Sequence, residues 1–268
     1  MLDRILAETR AEVERRKREV PLAHAEADAA ALVARQSAAG GRLHAALSRP
    51  GIGVIAEFKR RSPSAGELRQ AADVREIARA YERGGAVALS ILTEGPNFAG
   101  ELADLGAARA ACSLPLLRKD FIVDRYQLHE ACAAGADAVL LIVAALDDGE
   151  LEALHSEARS LDLDVLVEVH DREELGRALA LGAAIVGVNN RDLRDFSVDV
   201  GRTESLMADV PPGVLVVSES GIAEPGQLQR LQNLGVKAVL VGETLMRAGD
   251  PAAALRALQS FSAPAEDI

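Results

Sequence analysis

The chain has 268 residues, 49% apolar and 26% charged, which is enough for one large core and carries no bias toward disorder. Its 41 acidic against 30 basic residues, a formal charge of −11, argue against a nucleic-acid surface, though not against an anionic ligand in a local positive pocket. Two cysteines, Cys112 and Cys132, are too few for a disulfide scaffold and fit a reduced compartment.

No apolar stretch reaches the roughly 18 residues of a membrane helix. The start Met1-Leu2-Asp3-Arg4 carries an acid where a signal peptide needs basic and then apolar residues. A soluble cytoplasmic protein without a membrane or nucleic-acid partner is expected.

In chain order, Leu2, Ile5, Leu6 and Val13 form one apolar stripe, followed by the basic run Arg15-Arg16-Lys17-Arg18 and, after Pro21, an alanine-rich helical stretch. Residues 1–48 read as an amino-terminal helical extension covering one end of a barrel, with the basic run as a solvated helix face or helix end. Gly40-Gly41 and Pro50-Gly51 break the chain around its last helix.

Residues 49–268 read as eight apolar runs, near 53–58, 86–92, 114–118, 136–143, 163–169, 184–189, 214–219 and 237–242. Their starts lie roughly 20 to 35 residues apart, one strand–helix unit each. The segments between them are amphipathic. Ile77, Ala78 and Tyr81 share a face in Val74 to Arg83, as do Leu151, Leu154 and Ala158 in Leu151 to Ser160.

Gly85-Ala86, Gly135-Ala136 and Gly182-Ala183 each place a left-handed helix stop before a strand. Eight alternations predict a right-handed parallel sheet that closes, an α/β fold of the (β/α)8 TIM barrel type with an amino-terminal helical extension. An open doubly wound sheet is the alternative, but no Gly-x-Gly-x-x-Gly follows the first strand.

Five of the runs end in charged or amide residues: Glu57 and Lys59, Lys119, Glu168, Asn189-Asn190-Arg191, and Glu219-Ser220. Buried parallel strands are nearly continuous apolar runs, and barrel active sites are built from strand ends. Only four basic residues are lysine, Lys17, Lys59, Lys119 and Lys237, and two of these sit at strand ends. Arginine cannot give up a proton, so these positions point to acid catalysis or a Schiff base, or else to plain pairing with Glu57, Asp120 or a phosphate.

Three carboxylates, Glu57, Glu168 and Glu219, near two ammonium groups would push pKa values apart. Ser220-Gly221-Ile222 and Val241-Gly242-Glu243, after strands seven and eight, put glycines where backbone N–H groups can meet a phosphate. Glu243 could serve there only through its backbone. His129 and Cys132, three apart, lack further ligands at metal-binding spacing. His170 follows Glu168 at a strand end and could titrate near neutrality, but reads first as a structural hydrogen-bonding residue.

The runs Ile55-Ala56-Glu57-Phe58-Lys59-Arg60-Arg61-Ser62-Pro63-Ser64, Leu117-Arg118-Lys119-Asp120-Phe121-Ile122, Leu166-Val167-Glu168-Val169-His170, Gly187-Val188-Asn189-Asn190-Arg191-Asp192-Leu193 and Val217-Ser218-Glu219-Ser220-Gly221-Ile222 resemble the indole-3-glycerol phosphate synthase family, in order. The resemblance implies a carboxy-lyase of tryptophan biosynthesis. Such an enzyme closes the indole ring of an anthranilate-bearing deoxyribulose phosphate with loss of carbon dioxide and water. It implies no metal, no organic cofactor, a small phosphorylated substrate as partner, and a monomer.

By the same resemblance, Lys119 is the general acid, Glu168 the second proton-transfer group, and Lys59 and Glu57 position and polarise the substrate. Asn189 and Ser220, with Glu219 nearby, hold hydroxyls. Ser62 and Arg191 resemble anthranilate-side contacts, Phe121 and Leu140 walls for its ring, and Gly221 and Gly242 phosphate donors.

Two departures stand out. Phe98-Ala99-Gly100-Glu101 replaces the family's frequent Phe-Gly-Gly-Ser, and Phe58 replaces a smaller aliphatic residue, which suits a side chain facing the helices. The rival classes are a Schiff-base aldolase, a non-catalytic phosphate-binding barrel, and phosphoribosylanthranilate isomerase, whose cysteine has no counterpart at the end of strand one.

Overall fold

A computed structural model describes residues 2–33, 40–192 and 197–260. Leu193, in the fourth family-like run, lies outside the described residues. The strands are β1 (Gly53–Phe58), β2 (Ala88–Leu92), β3 (Leu116–Lys119), β4 (Ala138–Ile142), β5 (Asp164–Val169), β6 (Ile185–Asn189), β7 (Leu215–Glu219) and β8 (Ala238–Val241). They form a closed parallel barrel in which β1 pairs with both β2, Ile55 opposite Ala88, and β8, Gly53 opposite Ala238. All eight fall within the predicted runs to a residue or two, and Gly85, Gly135 and Gly182 have φ of 90°, 86° and 79°, the left-handed stops expected.

Alternation along each strand divides the core in two. Val54, Phe58, Leu116, Val167, Val188 and Val239 face the surrounding helices, whereas Ile55, Leu117, Leu140, Leu166, Val217 and Leu240 fill the lumen. Phe58 thus faces outward, with the Arg60 guanidinium 4.9 Å above its ring and bound through two hydrogen bonds to Asp104.

The extension contains α1 (Leu2–Glu19), α2 (Leu22–Val33) and α3 (Arg42–Leu47). It reaches both ends of the barrel rather than one. Helix α3 plugs the amino-terminal end: Leu43 and Leu47 join the lumen core, and the His44 N–H donates to Asp164 at the start of β5, at 3.0 Å. Helix α1 sits at the other rim, where Ile5 joins the same core beside Ala145, beyond the end of β4.

The basic run is the end of helix α1, as one of its two readings had it, but only partly a solvated face. Arg15 pairs with Glu12 and Glu19 of its own helix, but Arg16 reaches Glu130 at 2.8 Å and Lys17 reaches Asp124 at 2.6 Å, on or beside the helix Arg125–Ala133. The reason lies in Arg118, which is fully buried between β3 and that helix. Its guanidinium donates to the Gln127 carbonyl and pairs with Asp120 at 2.9 Å and Glu130 at 3.3 Å. Glu130 therefore joins the barrel's Arg118 to the extension's Arg16.

Arg118→Leu leaves buried carboxylates short of a partner, so unfolding in urea should show a loss of about 3–5 kcal/mol. In the loop after β2, Gly100 is required, because a Cβ there would lie 2.3 Å from the Leu92 carbonyl oxygen, and Ala99 adopts a left-handed φ of 55°. Ala99→Gly should relieve that strain and raise stability by up to about 1 kcal/mol in the same assay.

Candidate active site

The alternation that fills the lumen with apolar residues also decides which side chains reach the mouth. Glu57, Lys119, Glu168 and Glu219 each stand two residues beyond a lumen residue, Ile55, Leu117, Leu166 and Val217, and Asn189 stands two beyond Gly187. These five line one cavity of about 360 Å³ at the carboxyl ends of the strands, together with Lys59, Ser62, Phe121, Leu140, Arg191, Ser220, Gly221 and Gly242. Every residue to which the family resemblance assigned a role is thus brought to one place.

Asn190 is not. Being next to Asn189 it turns to the helix side, where it is wholly buried. Its amide donates to the Ser218 hydroxyl and the Ser220 carbonyl, both at 3.1 Å, and its oxygen accepts from the Thr203 N–H and hydroxyl.

At the centre, the Lys119 ammonium lies 3.3 Å from Glu168 Oε2 and 3.3 Å from Glu219 Oε2. It pairs with these two and not with Asp120, which Arg118 and Thr93 hold on the other face. Glu168 Oε1 accepts from the Asn189 amide at 3.1 Å, and Asn189 Oδ1 accepts from the Ser220 hydroxyl at 2.9 Å and the Arg191 N–H at 3.0 Å. Lys59 pairs separately with Glu57 at 2.6 Å.

Two glycines make room for the carboxylates. A Cβ on Gly187 would come within 2.2 Å of Glu219 Oε1, and one on Gly242 within 2.3 Å of Glu57 Oε1. Gly242, singled out as a phosphate donor, is seen here to seat Glu57.

The carboxylates separate as expected. Burial raises the Glu168 pKa, but Lys119, His170 and the Asn189 hydrogen bond outweigh it and hold that pKa below the usual carboxylate value. Burial, with the charges of Glu168 and Glu57, pushes Glu219 up to about 7 against the pull of Lys119. Burial would also lower the Lys119 pKa, yet the charges of Glu168, Glu219 and Glu57 raise it well above the usual lysine value.

One wall is apolar: Phe121 lies against Phe98, ring centroids 6.4 Å apart, beside Leu140 and Ile142. Ser62, in a short hairpin after β1, accepts from the Ala65 N–H at 3.1 Å. At the opposite end Ser220 and Gly221 both have left-handed backbones, φ 66° and 80°. The short helix Glu243–Arg247 begins beside them, and its first N–H groups have no intrahelical acceptor. Glu243 is drawn to Arg247, at 3.3 Å.

Sequence reasoning did not single out Arg247, Thr244 or Phe98 as cavity-lining residues. Their signal was proximity to the glycine turn after β8 and to the loop after β2. The residues His129 and Cys132 are occupied elsewhere, by Glu157 at 3.0 Å and by the Ala29 carbonyl of α2.

A carboxyl whose pKa rises on folding favours the folded state while protonated. The contribution of Glu219 is therefore complete below pH 4.5 and lost as pH rises through about 7. Glu219→Gln removes that loss, so between acid and neutral pH its urea midpoint should fall less than that of the wild type.

The family model for indole-3-glycerol phosphate synthase matches residues 2–258. The indole-3-glycerol phosphate synthase of Verminephrobacter eiseniae is 48% identical over 263 residues, covering 96% of this chain and 98% of that one. That of Mycobacterium ulcerans is 48% identical over 255 residues, 95% and 92% of the two chains. Among solved structures, a thiamine phosphate pyrophosphorylase from Pyrococcus furiosus superposes with a TM-score of 0.60 at 21% identity, over 78% of this chain and 94% of that one, a likeness of fold alone. With the barrel, the ordered motifs and these relatives in agreement, the chain belongs to the indole-3-glycerol phosphate synthase family.

Proposed function

We propose that this chain is a carboxy-lyase converting 1-(2-carboxyphenylamino)-1-deoxyribulose 5-phosphate to indole-3-glycerol phosphate, carbon dioxide and water, in tryptophan biosynthesis. The observation that carries this reading is the Lys119 ammonium, held between Glu168 and Glu219 at the floor of a cavity with one apolar wall.

The apolar wall, Phe121 and Leu140 with Phe98, folds the anthranilate ring onto the ketone, so that closure gains from orientation within one molecule. Lys119 gives its proton to the ketone oxygen as charge develops there. Its raised pKa keeps it charged, which disfavours the Schiff-base alternative, since that needs a neutral amine. Decarboxylation restores the aromatic ring. Glu168 then moves the proton lost in dehydration, while Asn189, Ser220 and Glu219 hold it and the substrate hydroxyls in place.

Lys59, steadied by Glu57, polarises the substrate, and Ser62 and Arg191 contact the anthranilate side. The phosphate lies at Gly221, Gly242 and the first turn of the helix Glu243–Arg247, with Arg247 adding positive charge. The enzyme acts as a monomer in the cytoplasm.

The test mixes purified protein with the substrate in metal chelator and follows indole fluorescence and carbon dioxide release together. Equal amounts of both are expected; binding without product would overturn the reaction. Lys119→Ala and Glu168→Gln should each lower turnover by at least about a hundredfold, the scale of a positioned acid or base.

A further inference from the structure

The proposed reaction sets a proton balance. The substrate carboxylate leaves as neutral carbon dioxide, and its bonding electrons remain with the ring. The ketone oxygen leaves as water, having taken up two protons, and the carbon beside nitrogen gives up one as the indole double bond forms. Each turnover therefore draws one proton from solvent. Lys119, the group that donates to the ketone oxygen, has to recover it.

Substrate seated in the cavity that Lys119 lines would shut off water from that side. Glu168 offers another. Its Oε2 lies 3.3 Å from Lys119 Nζ, and its Oε1 lies 3.4 Å from His170 Nε2. His170 Nε2 is buried and makes no hydrogen bond among the described residues, close to Glu168 but out of line with it. The other ring nitrogen is committed. Nδ1 lies 3.0 Å from Glu174 Oε2, and the same oxygen accepts the His170 backbone N–H at 2.7 Å. An ionised carboxylate only accepts, so Nδ1 carries a hydrogen and Nε2 is the nitrogen that gains and loses one.

His170 does not border the substrate cavity. It lines a second hollow of about 360 Å³, with Asp171 and Arg172 of its own loop and Asp192, Asp199 and Arg202 from the neighbouring unit. Its side chain thus lies between solvent in a polar hollow and the buried end of Glu168.

We propose that His170 relays the solvent proton from this hollow to Glu168, and through Glu168 to Lys119, while substrate occupies the mouth. The inference rests on the reaction proposed above. The ring, 11% exposed, turns to bring Nε2 from its buried position to water in the hollow, takes up a proton there and turns back; the imidazolium passes that proton to Glu168 Oε1, and a half-turn of the carboxyl presents it to the neutral Lys119 amine. The imidazole, the carboxylate and the ammonium are then as they began. His170 acts through Glu168 without touching substrate, which makes it a positioning residue.

The charges around the ring suit the task. Burial would lower the His170 pKa, but the Glu174 hydrogen bond and the charges of Glu168 and Glu219 outweigh it and hold that pKa above the usual histidine value. The two arginines of the hollow oppose these acids, and its aspartates add to them.

The experiment measures kcat and KM against pH, first for the wild type and then for His170→Asn and Glu174→Gln. Wild-type turnover tests the reaction itself, and its absence would overturn that reading before any variant is made. His170→Asn should lower kcat by at least roughly tenfold, the low side of a lost proton-transfer partner. KM should stay nearly constant, and added imidazole should restore turnover. Glu174→Gln keeps the ring but removes its anionic partner, so the alkaline limb of kcat should move to lower pH. It carries the test if His170→Asn does not fold. An unchanged kcat in His170→Asn, or a loss that imidazole does not restore, would sink the relay, as would an unmoved alkaline limb in Glu174→Gln.

Discussion

Three carboxylates and two ammonium groups share one partly buried opening, and the arithmetic of their charge governs the site. Glu57 and Lys59 satisfy each other, and Lys119 is divided between Glu168 and Glu219. One negative charge is left over, and a buried charge without a partner is expensive. The excess falls on Glu219, whose Oε1 has no hydrogen-bond partner among the described residues and whose pKa is pushed up to about 7. A proton on Glu219 brings the cluster close to neutral, which suits a pocket whose ligand carries phosphate. Glu168, anchored by Asn189, is then free to remain ionised beside Lys119.

The same strands carry a second polar system on their outer face. Arg118 and Lys119 are neighbours in β3, yet one is locked among Asp120, Glu130 and the Gln127 carbonyl and the other faces the cavity. Asp120 also accepts the N–H of Phe121, part of the apolar wall, so the outer network fixes the end of the strand that presents both Lys119 and that wall. Through Glu130 it extends to Arg16 on α1. Asn190 does the same for β6 and β7, tying Ser218, Thr203 and the carbonyl of Ser220 together behind the left-handed turn.

Much of this was legible because a barrel strand has a period of two and an apolar interior. Glu168 between Val167 and Val169 had only the lumen or rim to occupy, and the structure puts it there. Asn190 shows the limit: three polar residues in a row at a strand end give no sign of which one turns away until the register is known. The basic run on α1 misled for a different reason. Arg16 and Lys17 look like any solvated pair until the helix Arg125–Ala133 supplies Glu130 and places Asp124 opposite them. Nor could the sequence reveal that His170 lies against the far oxygen of Glu168, because both groups end one strand and their approach depends on how the ring is turned by Glu174.

The glycine at position 187 has a consequence for how this chain can change. Glu219 occupies the volume that any larger residue at 187 would need. Gly187→Ala made alone therefore collides with a buried carboxylate, whereas after Glu219 has been shortened the added methyl meets only the tip of Leu166, at 3.2 Å, a side chain that can shift. The two positions are coupled strongly enough that their separate effects will not add. Descendants of this sequence can reach a non-glycine residue at 187 by one order of steps and not by the other, so that the history of the site is directional even where its end states are equally stable.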